Sequence, residues 1–448
     1  MMRLSEIAAA LGAEVPGADV QVDGVSIDSR DCGGNALFIA LRGARYDGHD
    51  FAAAAAAAGA VAAVVSGKVD AAIPQITVTD TTAALAKLAA GWRRRFAIPL
   101  VAVTGSNGKT TVKEMLGAIL GAADNTALAS RGNFNNHIGV PLTLLRLREH
   151  HRFAVVEMGM NRAGEISMLS KMARPTVAVI TNAAAAHLEG VGGELEVACA
   201  KGEILDGLGE GGVAVLNADD AHFKLWRGMA GKRFTVRSFG LDGRARADVH
   251  GDYRLYAGGS DLEVTVDGET FHTRLPLPGR HNVVNALAAA AAALAAGATV
   301  DMAAAGLAQA PPVAGRLTQR RGRNGCLILD DSYNANPASA RAALEVLCKH
   351  GGEQVAVFGD MLELGAAAAQ LHRRLGEAAR SKGVARLFAF GPLSRDTAAG
   401  FGPEAGHFQD QSELTDALRA IAGPRTVFLI KGSRGMEMEN VARGLQEE

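Results

Sequence analysis

The sequence predicts an α/β protein of three successive domains. Short apolar runs of strand type alternate along the chain with stretches whose apolar residues recur at helical spacing. The chain's 448 residues are enough for two to four domains at roughly 100–200 residues each. The polar clusters, finally, fall at the ends of the apolar runs, where an open parallel sheet gathers its ligands.

Residues 1–80 read as a small α/β unit. It has a short helix, strands in VDGVSID and ALFIALRG, an Ala-rich helix after Phe51, and strands in AAVVS and QITVT. TTAALAKLAAGWRRRF is then a helix, which places a boundary near Asp80. Residues 81–311 make a central domain whose strands, LVAVT, FAVVEMG, TVAVITN and GVAVLNADD, are apolar enough to be covered on both faces. That points to a mostly parallel sheet. Between Ser238 and Leu277, DLEVTV and ETFHTRL flank Asp267-Gly268, a two-residue hairpin signal, so an antiparallel appendage is expected. An Ala-rich helix from Asn285 to Gly297 follows, and the paired prolines of QAPPVAGRL suit a linker near residue 311. Residues 312–448 resume the alternation with CLILDDS, QVAVFGD, RLFAFGP and TVFLIKG. The Ala-rich tracts read as small-residue helices packed on sheets, not as low complexity.

Bulk properties narrow the function classes. A formal net charge of −1 and a pI near 6.9 give no long-range field for a nucleic acid or membrane surface. The longest apolar stretch, FAAAAAAAGAVAAVV, falls short of the roughly 18–20 residues that span a bilayer, so no membrane insertion is expected. Glu6 interrupts the place of a signal-peptide core. Cys32, Cys199, Cys326 and Cys348 have no CxxC spacing, which leaves neither a zinc site nor a disulfide framework and suits a reducing cytoplasm.

The chemistry concentrates in AVTGSNGKTT, Ala102 to Thr111, between a strand and a helix. Gly105 and Gly108 have no Cβ to fend off an oxyanion, so backbone N–H groups from Thr104 to Thr111 can converge on phosphate at the helix N-terminus. Lys109 would reach the β and γ phosphates and the Thr110 hydroxyl a magnesium ion. The bland alternative, a Gly-rich turn before a helix, explains the strand and helix less well. Only Ser106 and Asn107 separate the glycines, an interval too short for the common GTPases and motor ATPases. Glu157 ends FAVVE beside this loop, where a carboxylate suits a hard cation. His187 by itself is an ordinary loop histidine, and Lys201 by itself a solvated charge on a helix. NADD, Asn217 to Asp220, lacks the Lys of a guanine clamp and reads as a turn or an adenine-nucleotide context.

TGSNGKTT, EMGMNRAGEI, TNAAAAHLEG, AKGEI, GRHNVVNALAA, DDSYNANP, GDMLELG and LIKGSRGMEME occur in that order, and with DSR and YDGHDF near the N-terminus they resemble the Mur ligases of peptidoglycan assembly over the whole chain. The resemblance implies an ATP-dependent, cytoplasmic amide ligase, acting as a monomer. Its three domains would be a UDP-binding domain, a central P-loop ATPase domain and a C-terminal Rossmann-like domain that brings the amine. GDMLELG and NANP favour D-alanyl-D-alanine as that amine and UDP-N-acetylmuramoyl-tripeptide as the acid. They weigh against the ligase that adds the third residue, while DSR and DGHDF, which that ligase shares, weigh against folylpolyglutamate synthetase. By the same resemblance Thr110, Glu157, His187 and a carbamylated Lys201 hold magnesium. Asn282 lies by the adenine, Arg316 reaches the phosphates and Asp331 meets the ribose. Ser29, Arg30, Asp47 and His49 face the uridine nucleotide, and Asn135, Asn136, Asn334 and Asn336 face the peptide substrates.

Overall fold

The computed structural model describes residues 1–14, 17–121, 126–184, 192–242 and 247–446. At the N-terminus Gly24–Ser26, Ala36–Ile39, Ala60–Val65 and Gln75–Thr77 form a parallel sheet in chain order, beside a two-stranded pairing of Met2–Arg3 with Gln21–Val22. The Thr81–Arg93 helix begins on Asp80, whose carboxylate accepts from the N–H groups of Thr82 and Ala83. Its buried Leu85, Leu88 and Trp92 share one core with Leu37, Ile39 and Val64 of the N-terminal sheet and with Leu144 and Leu169 of central helices. This helix is therefore the seam between two units.

The central sheet has nine strands among the described residues. Leu100–Thr104 lies inside it, third from one edge, flanked by Phe153–Glu157 and Val177–Ile180, all parallel. Chain order reverses there: the next strands, Ala127–Ala129 and Phe153–Glu157, go to one side, and Val177–Ile180, Val213–Asn217 and Thr235–Phe239 build outward on the other. Crevices of this kind open beyond the carboxyl ends of the strands. Alternate residues face different cores, Leu100 and Ala102 toward the seam and Val101 and Val103 toward the Lys109–Gly121 and Arg280–Ala295 helices. Ala286 to Ala293 of the latter are almost fully buried, because methyl-sized side chains let the helix lie close to the sheet.

The antiparallel hairpin is present, turning on Asp267 and Gly268 at φ 51° and 86°. Val249–Tyr256, Gly259–Val266 and Glu269–Leu275 continue the edge of the same sheet. The Ala-rich helix starts at Arg280, a turn and a half before the expected Asn285. The reason lies in Gly279, whose φ of 95° forms the N-cap and lets RHNVV join the helix.

The C-terminal sheet runs Thr318–Arg321, Leu327–Asp331, Thr426–Lys431, Glu353–Gly359, Arg386–Phe390, Ala405–Phe408, antiparallel only at the first pair. Helices cover both faces. Thr318–Arg321 (TQRR) carries no alternating apolar signal and reads as a strand only once its partner is in place.

Candidate active site

Between the central and C-terminal sheets lies a cleft of about 760 Å³. Both sheets point carboxyl ends into it, so residues far apart in sequence meet: Lys109, Glu157, Lys201, Asn282, Arg316 and Asp331 all line it. Asn135, Asn136, Asn334 and Asn336 line it as well.

The loop after Leu100–Thr104 has the backbone of an anion cradle. Gly105 and Gly108 take φ of 148° and 83°, and a Cβ at either would collide with Thr181 Oγ1 or Asn285 Oδ1. The loop is braced from the next strand end: Thr181 Oγ1 donates to Asn107 O at 2.6 Å, and Asn107 N donates to Asn182 Oδ1 at 2.9 Å. Lys109 Nζ turns back on the loop, donating to Gly105 O at 2.7 Å. Burial pushes its pKa down, while the Glu157 carboxylate opposes that and Arg316 adds to it. Thr104 is fully buried and does not line the cleft, its hydroxyl donating to Met158 O at 2.8 Å. Thr111 lines the cleft, and Thr110 lies just behind it, its Oγ1 accepting from Arg316 Nη2 at 2.9 Å.

Glu157 is 1% exposed. One carboxylate oxygen, Oε1, accepts from Asn135 Nδ2 at 2.8 Å, and Oε2 is buried without a hydrogen-bond partner. Buried carboxylate oxygens are rarely left in that state. Lys201, at the end of the Glu194–Gly202 helix, is 1% exposed, so the solvated-charge reading does not hold. Burial drives its pKa well below the usual lysine range, Lys109 adds repulsion, and Glu203 and Glu165 oppose both. His187 lies outside the described residues.

From the C-terminal side Arg316 stacks over the Tyr333 ring at 4.5 Å while reaching Thr110. Asn336 caps the Pro337–Leu347 helix through Ser339 N and donates from Nδ2 to Asn107 Oδ1 at 2.8 Å, joining the two domains. Asp331 accepts from Lys431 Nζ at 2.6 Å and from Leu317 N at 3.2 Å; burial raises its pKa and Lys431 restrains the rise. Asn282 is held by Pro278 O and Asn285, and the adjacent His281 is pushed down to about 4 by burial, with Lys431 adding to the effect.

Lys431, Tyr333, Thr181 and Asn182 were not singled out from sequence. Lys431 had a usable signal, since it is the last residue of the apolar strand TVFLIK and so sits at a strand end. NADD proves to be a turn: Asn217 Nδ2 donates to Thr181 O, and the Asp220 carboxylate accepts from Ala183 N. In the N-terminal domain none of Ser29, Arg30, Asp47 and His49 lines the cleft. Arg30 pairs with Asp28 at 2.7 Å, holding that carboxyl down to about 2. His49 Nε2 accepts from Ser66 N at 2.8 Å, so Nδ1 carries the proton to Asp47 Oδ1 at 2.5 Å. Both ring nitrogens are thereby engaged, tying the Asp47 loop to Ser66 after the Ala60–Val65 strand.

A glycine-shaped phosphate cradle facing a second α/β domain, with a buried carboxylate between them, defines a nucleotide-dependent enzyme whose cleft is assembled from two domains. Family models agree with that division: "Mur ligase family, catalytic domain" matches residues 21–93, "Mur ligase middle domain" 103–293 and "Mur ligase, glutamate ligase domain" 315–434. The UDP-N-acetylmuramoyl-tripeptide–D-alanyl-D-alanine ligase of Escherichia coli is 43% identical, over 99% of this chain and 98% of its own. The solved structure of MurF from Acinetobacter baumannii superposes with a TM-score of 0.92 at 36% identity, covering 100% of both chains. MurF from Thermotoga maritima, solved with ADP, gives 0.82 at 28% identity over 95% of this chain and 97% of its own. The chain belongs to the Mur ligase family.

Proposed function

We propose that the protein is an ATP-dependent ligase that joins D-alanyl-D-alanine to UDP-N-acetylmuramoyl-tripeptide, releasing ADP and phosphate. The observation that carries this reading is the cleft itself, in which a phosphate loop and Glu157 on one sheet face Arg316 and Asp331 on another.

A carboxylate is a poor electrophile, so the tripeptide's terminal carboxyl is activated by transfer of the γ-phosphoryl group of ATP. The dipeptide amine then attacks the acyl carbon, giving a tetrahedral species that expels phosphate. Lys109 is placed to leave its loop carbonyls for the phosphoryl oxygens, where negative charge grows. Arg316 reaches the same region from the C-terminal domain. Asn282 faces the adenine and Asp331, oriented by Lys431, the ribose. Asn135, Asn136, Asn334 and Asn336 provide the amide groups nearest the peptide substrates. Ser29, Arg30, Asp47 and His49 belong to the UDP-binding domain, where His49 shapes the loop. The domains divide at about residues 80 and 311. With water excluded from the cleft, an acyl phosphate survives until the amine arrives.

The donor set fits magnesium: the unpartnered Oε2 of Glu157 and the Thr110 hydroxyl would supply hard oxygen ligands, and His187 a ring nitrogen. Magnesium supplies positive charge against the developing phosphoryl charge. Lys201 joins them as a carbamate. Its burial beside Lys109 favours the neutral amine that reacts with carbon dioxide, and the adduct sets an anion, not a second cation, beside Lys109.

ADP release measured with each substrate alone and with both tests the proposal. Release should require both, and Lys109→Ala should abolish it. Turnover without the peptide substrates, or stimulated by a macromolecule, would indicate a nucleotide switch instead.

A further inference from the structure

A second cavity, of about 340 Å³, lies where the antiparallel edge of the central sheet meets the C-terminal domain. One wall comes from the strand carrying Tyr253 and Tyr256 and from residues 278–280, the other from residues 345–346, 348–350 and Lys382, and none of its lining residues lines the nucleotide cleft. A ligand held here would bridge the two domains.

The chemistry of the walls is one-sided. Arg280, Lys349, Lys382 and His350 face it against the single acid Glu345, which lies 3.8 Å from Lys382. The Arg280–Ala295 helix begins at this cavity, and its N-cap, Gly279, supplies no side-chain cap. The positive end of a sixteen-residue helix is thus available to an anion. Independently, His350 lines the cavity, is only 8% exposed, and its Nε2 has no hydrogen-bond partner. Buried polar atoms are rarely left in that state unless something else completes them. Between the charges the surface is apolar, made by Leu255, Val346, Pro278 and the Tyr256 ring, over which Arg274 also lies at 5.6 Å. The volume is at the lower end of small-ligand sites.

We propose that this cavity is a second binding site, separate from the nucleotide cleft, for a small organic anion with a flat apolar body and one phosphate or carboxylate head. The head lies among Arg280, Lys349 and His350, and the body against Tyr256 and Val346.

Ligand-observed NMR on the full chain tests it with three probes of one shape: phenyl phosphate, benzoate and neutral benzyl alcohol. At least one anionic probe should bind saturably, one per chain, with or without a non-hydrolysable ATP analogue and magnesium, and the tighter of the two identifies the head group. Benzyl alcohol should bind more weakly. Reversing two exposed charges in Arg280→Glu/Lys349→Glu should weaken the anion by roughly tenfold or more while leaving basal ADP release unchanged. His350→Phe, which keeps the ring volume, should also weaken it. The proposal fails if the ATP analogue displaces the probe, if the double variant binds equally well, if benzyl alcohol binds as tightly, or if no anionic probe saturates at millimolar concentration.

Discussion

Lys201 shows how little a side chain's type says about its task until burial is known. On a helical pattern a lysine is normally solvated, yet here it is 1% exposed and faces another lysine. If it serves as a carbamate, Lys201→Ala should lose most ADP release and regain part of it when short carboxylic acids are supplied. Full activity without them would refute that role. His281 offers a pH signature. The fold holds its pKa at about 4 against an unfolded value of 6.5, so below pH 6.5 the unfolded chain takes up a proton that the folded chain refuses. This group therefore withdraws stability progressively as pH falls from 6.5 to about 4 and contributes nothing above. Thermal melts should show a shallower acid loss of Tm over that window in His281→Gln; parallel curves would mean the imidazole is not held neutral.

At the level of elements, the strand ends do the positioning. Leu100–Thr104, Val177–Ile180, Leu327–Asp331 and Thr426–Lys431 each finish where the cleft begins, and the loops after the first two brace each other through Thr181 and Asn107. Asp331 and Lys431 are adjacent strand ends in register, which is why their side chains meet at 2.6 Å. Removing one partner of a buried pair strands the other, at a cost of about 3–5 kcal/mol. Lys431→Met should destabilise the C-terminal domain by that order in denaturant melts, and adding Asp331→Asn should recover most of it. If the double variant is as unstable as the single one, lost packing rather than a stranded carboxyl is responsible. These pairings were only half legible. Each strand and its polar terminus can be read along the chain, but which strands become neighbours depends on crossovers that local sequence does not encode.

In the whole molecule the cleft exists only because two sheets face each other, joined by Asn336 to Asn107 and Arg316 to Thr110. A nucleotide bound there should protect both domains. At about 100 Kd of an ATP analogue with magnesium, linkage gives about 2.7 kcal/mol of stabilisation. Hydrogen exchange should show slowed amides in Lys109–Gly121 and in Pro337–Leu347 alike; protection confined to the first would refute a shared site. The phosphate loop, Glu157 and the order of motifs were readable because each depends on a few consecutive residues: a glycine's missing Cβ, a charge at the end of an apolar run, the spacing of Gly105 and Gly108. By itself the sequence determined the alternation of strands and helices, the cradle and the family. Only the tertiary structure decided that Glu157 keeps a carboxylate oxygen unpartnered, that Lys201 is buried, that Lys431 pairs with Asp331, and that His49 ties Asp47 to Ser66 with its two ring nitrogens. Those outcomes turn on desolvation and on contacts between residues far apart in the chain, which exist only once the sheets have packed.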